Sequence, residues 1–301
     1  MVFTFDSSSL EDYLNDRNLI SSFLVSSAVV FLYDWIDMLP EEIEFVWTSN
    51  LLRPFNVLYM IQRYMPFIDT IGILFVVSFE QPLDAGVCQV LYNISGWMYV
   101  IGIALTEVIL TMRTWALWGK GSKLSITLPI FFTCCFVPIF YVFNLFLQTQ
   151  TFEPSPFPND LGCIFLGGKP TLFVCWIILL AYEAVILALM LMCYYQSGRW
   201  FALSRTVYKE GFTFYIITFL WSIINITVIL LLPHDLENLL SSYQRIMHNV
   251  LTSRAVLHMR KQSTKSTLAK PGLSVFVNHE QFVSEDIPLR NFGSLNSNAE
   301  S

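Results

Sequence analysis

Six long apolar segments constrain this chain more than any other feature of its sequence. A helix needs about 17 to 25 mostly apolar residues to cross the hydrocarbon core of a bilayer, and each segment has such a length. They cover residues 19–36, 55–79, 91–115, 124–147, 172–195 and 212–232. Because 54% of the 301 residues are hydrophobic and only 13% are charged, an ordinary soluble domain is excluded. The sequence predicts a multi-pass membrane protein in contact with the lipid bilayer.

A seventh segment, residues 236–257, combines an apolar stripe with a polar face. Such a helix either lies at the membrane surface or spans with its polar face toward other helices. The positive-inside rule favours spanning. With seven spans and an external N-terminus, two basic residues lie outside, Arg17 and Lys169. The cytoplasmic side then holds Arg53, Arg113, Lys120, Lys123, Arg199, Arg205, Lys209, Arg254, Arg260, Lys261, Lys265, Lys270 and Arg290.

The predicted fold class is therefore an all-α membrane protein, a seven-transmembrane-helix bundle with its C-terminus in the cytoplasm. Residues 1–18 form the extracellular N-terminus, and residues 19–258 form the transmembrane domain. Residues 259–301 are polar and rich in Ser and Asn, which predicts a disordered cytoplasmic tail. The plasma membrane is favoured over an internal membrane.

Several motifs lie within or next to these segments. They are Leu32-Tyr33-Asp34, Glu41, Glu42, Glu44, Trp47, Gln62-Arg63-Tyr64-Met65-Pro66, Arg113-Thr114-Trp115-Ala116-Leu117-Trp118-Gly119 and Val250-Leu251-Thr252-Ser253-Arg254 with Arg260. Together they resemble a large group of basidiomycete fungal membrane proteins whose shared N-terminal domain has no assigned function. The resemblance implies a seven-span, receptor-like protein of unknown activity in a fungus. The sequence departs from that group at Gln62 and Trp115, where Asn and Tyr are usual.

Five ionisable residues lie inside the predicted spans: Arg63, Asp69, Glu107, Glu183 and Arg245. A charge there costs ~2.5 to 3.5 kcal/mol, so such residues normally face the bundle and find partners. Arg63 and Glu107 both lie roughly 14 Å from the inner end of their spans, at 1.5 Å per residue. Glu183 and Arg245 both lie roughly 18 Å from it. Depth thus predicts the pairs Arg63–Glu107 and Glu183–Arg245, either as static links or as a polar pocket that switches.

An acidic run follows at the inner end of the first span. It consists of Asp34, Asp37, Glu41, Glu42 and Glu44. We expect this run to form a solvated face, with a docking site as the alternative.

The cysteines predict one disulfide bond, between Cys88 and Cys163, because both lie on the external side. The bond would join the start of the third span to the proline-rich loop at residues 148–170, as rhodopsin-like receptors tether their corresponding loop. Cys175, about one turn inside the fifth span, is the competing partner. The spacing of the cysteines and the four separated histidines does not suggest a zinc site, so neither a metal nor another cofactor is expected.

Two functions remain open from the sequence. One is a receptor-like sensor with an external pocket for a small molecule or peptide and a cytoplasmic signalling partner. Arg113 does not lie in an Asp/Glu-Arg-Tyr triplet and the last span lacks Asn-Pro-x-x-Tyr, so coupling to G proteins has no motif behind it. The alternative is a small-molecule or ion transporter that uses the intramembrane charges. Enzyme activity and nucleic-acid binding are not expected, and no catalytic residue is assigned.

Overall fold

In a computed structural model, the chain is a helical bundle with a short β-hairpin. The structure describes residues 7–78, 85–119, 121–150, 152–154, 163–165, 171–197, 202–231 and 239–268. The helices in these ranges are α1 Ser7–Glu42, α2 Pro54–Ser78, α3 Ala85–Leu117, α4 Ser122–Thr149, α5 Leu172–Ser197, α6 Ala202–Leu231 and α7 Ser241–Leu268. A π-helical turn, Ile43–Trp47, continues α1. The hairpin pairs β1 Phe152–Pro154 with β2 Cys163–Phe165.

Five helical segments of the described chain are long and apolar enough to cross a membrane. They are Asn18–Trp47, Gly86–Leu117, Ser122–Thr149, Leu172–Cys193 and Phe212–Leu231. The chain is thus a multi-pass helical membrane protein by length and composition. Only described residues count in this assignment, and neither α2 nor α7 is among the five, so the number of spans beyond five stays a prediction.

The ends of the helices differ from the ends of the apolar runs. Helix α1 begins at Ser7, inside the predicted external N-terminus, and α7 ends at Leu268. The prediction that disorder begins at residue 259 is therefore wrong, because residues 259–268 are helical. Two contacts lie at the start of this extension: Arg260 Nη1 donates to the carbonyl oxygen of Phe45 over 2.9 Å, and Lys261 forms an ion pair with Glu41. Residues 269–301 of the predicted tail lie outside the described residues.

The largest buried apolar cluster joins α3, α4, α5 and α6. Its aromatic centre contains Phe136 of α4, whose ring stacks on Phe132 at 4.2 Å and meets the ring of Tyr182 of α5 edge-on at 5.5 Å. A second cluster joins α2, α3 and α7 through Tyr59, Ile109 and Val256. Helix α7 packs against α1, α2, α3 and α6, which places it inside the bundle.

The hairpin lies in the long loop that follows α4. Its strands are antiparallel, with Phe152 opposite Phe165 and Pro154 opposite Cys163, and β1 contacts α3. The proline-rich loop has extended backbone at Phe152–Pro154. Residues 155–162 and 166–170, which include Pro156 and Pro158, lie outside the described residues.

Candidate functional site

The polar face of α7 runs through the interior of the bundle. Positions three or four residues apart fall on one face of a helix, and here that face is polar. It consists of Ser241, Gln244, Arg245, His248, Asn249, Thr252 and Ser253, all of which are buried. Buried polar groups need partners inside the protein. The neighbouring helices supply many of them, so α7 is the centre of the candidate site.

Arg245 of α7 pairs with Asp69 of α2. The guanidinium Nε and Nη2 lie 3.1 and 3.0 Å from Asp69 Oδ2, and both side chains are fully buried. Asp69 Oδ1 also accepts a hydrogen bond from Thr70 over 2.9 Å. Gly102 of α3 makes room for this pair, because a Cβ at that position would overlap the guanidinium. The positive charge of Arg245 is thus balanced within the bundle.

His248 lies one turn further along α7, between two carboxylates. Its Nδ1 is 3.2 Å from Glu107 Oε1 of α3, and its Nε2 is 3.2 Å from Glu183 Oε1 of α5. Ser222 of α6 donates a hydrogen bond of 2.7 Å to Glu183 Oε1, and Gln244 donates one of 2.8 Å to Ser222. We call Glu107, His248 and Glu183 the histidine cluster; it connects α3, α5 and α7.

The histidine cluster has the residue types of a metal site but not a convergent arrangement. One oxygen or nitrogen atom from each of the three residues lies within 4.8 Å of the others. However, the two carboxylates face different nitrogens of the ring. A single ion bound to one nitrogen would therefore leave one carboxylate on the far side of the imidazole. The arrangement is better suited to holding or passing a proton.

A second group of charges lies toward the C-terminal end of α1, which is predicted to be its inner end. Arg63 Nη1 of α2 is 2.7 Å from Asp34 Oδ2, and its Nε is 3.4 Å from Glu42 Oε2. Arg254 of α7 reaches the other oxygen of Asp34 over 2.6 Å and Asp37 over 3.0 Å. We call these five residues the inner charge cluster. Asp34 shares its carboxylate between α2 and α7, so it joins three helices.

Both predicted charge pairs are wrong. Arg63 pairs with Asp34 and Glu42 rather than with Glu107, and Arg245 pairs with Asp69 rather than with Glu183. Equal depth in the membrane does not bring two side chains together, because each must also face the other across the right pair of helices. Asp69, predicted as a separate acid, is the partner of Arg245.

Sequence reasoning missed His248, which lies between the two glutamates. Two signals could have found it. His248 follows Ser241, Gln244 and Arg245 on one helical face, and it lies roughly 14 Å from the predicted inner end of its span, the same depth as Glu107.

The acidic run is only partly a solvated face. Asp34 and Glu42 are buried, with exposed fractions of 2% and 0%, because both contact the guanidinium of Arg63. Glu42 Oε1 also accepts hydrogen bonds from Tyr64 over 2.9 Å and from Trp47 over 3.1 Å. Glu44 is exposed, as predicted. The prediction of a solvated face is therefore wrong for Asp34 and Glu42.

Arg113 stands apart from these clusters near the C-terminal end of α3. It is buried, and within the described part of the chain its three guanidinium nitrogens have no hydrogen-bond partner. Its Cζ lies 5.7 Å from the centre of the Tyr215 ring of α6, within the range of a cation–π contact. Tyr215 in turn donates to the carbonyl oxygen of Leu110 over 2.9 Å.

The predicted disulfide involves one described side chain. Cys88, near the start of α3, is buried and bonded through its sulfur. Cys134, Cys135, Cys175 and Cys193 are free thiols. The side chain of Cys163 lies outside the described residues, so its pairing with Cys88 stays a prediction.

The N-terminal part of the chain matches the model of a known family. That family is described as a family of unknown function, DUF6533, and the match covers residues 22–68. The matched range includes Asp34, Glu42 and Arg63 of the inner charge cluster, together with the motifs of the N-terminal resemblance. No curated protein matches the chain. The chain is similar to this family over most of α1 and the first part of α2.

Proposed function

We propose that the chain is a seven-span, receptor-like sensor in which α7 is the moving element. One observation carries the proposal: the buried polar face of α7, together with the adjacent Arg254, contacts five other helices. The partners are Asp34 of α1, Asp69 of α2, Glu107 of α3, Glu183 of α5 and Ser222 of α6. Ionic contacts between packed helices have discrete arrangements, so a shift of α7 is transmitted to each of these partners.

The topology of the proposal follows from charge. Helix α7 spans the membrane with its polar face inside the bundle, since intramembrane polar residues avoid lipid. The basic residues in its C-terminal part, among them Arg254, Arg260 and Lys261, then lie near or in the cytoplasm, as the positive-inside rule requires. The N-terminus is outside, and the plasma membrane is the favoured location.

The ligand side of the proposed sensor is external. There the hairpin contacts α3, and the predicted bond between Cys88 and Cys163 would hold it near the start of that helix. A small molecule or peptide is the proposed ligand class, with a signalling partner at the cytoplasmic end. The resemblance of the N-terminal motifs to basidiomycete proteins supports a fungal setting.

In this proposal the inner charge cluster restrains α7 until the sensor is activated. Asp34 binds Arg63 and Arg254 with opposite oxygens of one carboxylate. Loss of the bond to Arg254 frees the inner part of α7, while Arg63 keeps Glu42 as a partner. The ion pair between Asp34 and Arg254 can therefore break without leaving Arg63 unpaired.

Hydrogen exchange of the full chain in lipid nanodiscs tests the moving element. In Asp34→Asn, amide exchange should accelerate in the inner part of α7 and stay unchanged in α4. The matched control is Asp37→Asn, which removes the same charge from a half-exposed partner of Arg254. Equal exchange along α7 in wild type and Asp34→Asn would argue against α7 as the switch.

The transporter alternative rests on the histidine cluster, which places titratable groups deep inside the bundle. Neither function involves catalysis. Sealed vesicles containing the protein, a pH-sensitive dye and a potassium diffusion potential separate the two functions. A sensor should give the same proton flux as empty vesicles. Proton flux above that level in the wild type, together with its loss in His248→Gln, would contradict the sensor proposal and support a transporter.

A further inference from the structure

The histidine cluster is a buried acid–base group without an assigned role. His248, Glu107 and Glu183 have exposed fractions of 0%, 1% and 6%. We propose that these three side chains form a proton-binding site that links α3, α5 and α7. The proposal concerns the protonation of His248 and holds whether the protein is a sensor or a transporter.

The positions of the two carboxylates fit a protonated ring. A neutral imidazole has one N–H donor and one acceptor nitrogen, whereas an imidazolium has two donors. Carboxylate oxygens lie 3.2 Å from both nitrogens of His248. Within the described ranges, Glu107 Oε1 and His248 Nδ1 make no hydrogen bond, so their contact with each other is an ion-pair distance. A neutral ring would direct a lone pair at one carboxylate, while an imidazolium can donate to both.

The charges around the cluster also favour a bound proton, because they already have partners of their own. From α2, Asp69 is balanced by Arg245 of α7. Helix α6 contributes the hydroxyl of Ser222, and Tyr182 of α5 bonds to Thr111 of α3. Tyr215 of α6 lies against Arg113, whereas Asp34 of α1 pairs with Arg63 and Arg254.

Among the described residues, His248 is thus the cation available to Glu107 and Glu183. With a neutral ring the cluster carries two negative charges, and one added proton lowers this to a single negative charge. An uncompensated charge deep in a membrane bundle is costly, so proton uptake is favoured. Because three titratable groups touch, the proton belongs to the cluster as a whole.

Proton binding has a structural consequence. The imidazolium ties α7 to Glu107 of α3 and Glu183 of α5 at once. Release of the proton leaves a single donor on the ring, so one of the two links becomes a repulsion between a lone pair and a carboxylate. The packing of α7 between α3 and α5 should therefore depend on the proton.

The test is ¹⁵N magnetic resonance of the full chain in lipid nanodiscs with labelled histidine. The variant His234→Gln/His258→Gln/His279→Gln leaves His248 as the labelled residue. At neutral pH, both ring nitrogens of His248 should carry protons. Adding Glu107→Gln and Glu183→Gln should abolish the imidazolium signal. The matched control Asp69→Asn/Arg245→Gln removes the neighbouring pair without net charge change and should preserve that signal.

Two results would overturn the proposal. One is a neutral His248 ring at neutral pH in the protein with both glutamates present. The other is stoichiometric binding of Zn²⁺ that shifts the His248 signal and is lost in Glu183→Gln, since this would make the cluster a metal site. If the glutamate variants fail to fold, the protonation state measured with both glutamates present still decides the question.

Discussion

Helices α4 and α7 of the same bundle differ in the side chains that they expose and bury. An 18-residue window within Ser122–Thr149 of α4 has a mean hydropathy of 2.2, and the helix exposes Ile126, Val137 and Tyr141 on one face. Helix α7 instead buries Arg245, His248 and other polar side chains. Apolar side chains can face lipid at no cost, but charged ones cannot. In this protein the more polar helix therefore lies further inside.

The two helices are also held by different forces. Lipid is as apolar as a phenylalanine ring, so the hydrophobic effect adds little when α4 packs. Its buried face contributes van der Waals contacts, such as that of Phe136 with Tyr182 of α5. Helix α7 is held by ion pairs and hydrogen bonds, whose rupture leaves a charge without a partner. Mutations should therefore cost more in α7 than in α4.

The largest effect is expected at Arg245 and Asp69. Arg245→Leu leaves a fully buried carboxylate, and the free energy of unfolding should fall by about 3 to 5 kcal/mol. The double variant Arg245→Leu/Asp69→Asn should lose less than the sum of the single variants. Unfolding in mixed micelles measures the cycle. The control in α4 is Val137→Ala on the lipid-facing side, which should change stability by less than about 0.5 kcal/mol. Additive losses would show that the pair is not coupled.

Two glycines of α3 allow the packing against α7 and against α4 to be compared directly. Gly102 faces Arg245, whereas a Cβ at Gly96 would lie 3.1 Å from Phe143 Cζ and 3.4 Å from Leu147 Cδ2 of α4. Gly102→Ala should cost about 1 to 3 kcal/mol through overpacking against a fixed ion pair. Gly96→Ala should cost less, because the ends of two apolar side chains can shift. The same unfolding assay measures the stability loss of each variant. A larger loss in Gly96→Ala than in Gly102→Ala would contradict a rigid site around Arg245.

The aromatic centre of α4 should show a smaller loss. Phe136→Ala removes ring contacts while the cavity remains in an apolar setting, so we expect a loss of about 1 to 2 kcal/mol, from packing alone. Tyr141→Ala, at a lipid-exposed position of the same helix, is the control and should be nearly neutral. A loss at Phe136 equal to that at Arg245 would remove the proposed difference between the two helices.

The smallest effect is expected at the inner end of α7. Lys261→Gln breaks an ion pair whose two side chains are both partly exposed to solvent, so stability should not change measurably. The hydrogen bond to Glu41 raises the pKa of Lys261, so the charge of this pair persists at neutral pH. Its neighbour Arg260 is the contrast, because its guanidinium donates to Phe45 and Asn56. Thermal unfolding of both variants should separate them, with Arg260→Gln the less stable.

The amino-acid sequence by itself was enough to predict the helices and the inward polar face of α7. Apolar length and 3.6-residue periodicity are local properties, so they can be counted along the chain. The cost of charge in lipid likewise predicted that Arg63, Asp69, Glu107, Glu183 and Arg245 would lie inside, and all five are buried.

Only the tertiary structure decided which charges meet. Depth along a helix follows from the rise per residue, but a partner also depends on the rotation of each helix and on its neighbours. Arg63 therefore meets Asp34 instead of Glu107, and the two glutamates meet His248. Those contacts join residues up to 220 positions apart in the chain, as with Arg254 and Asp34, and no local pattern specifies them.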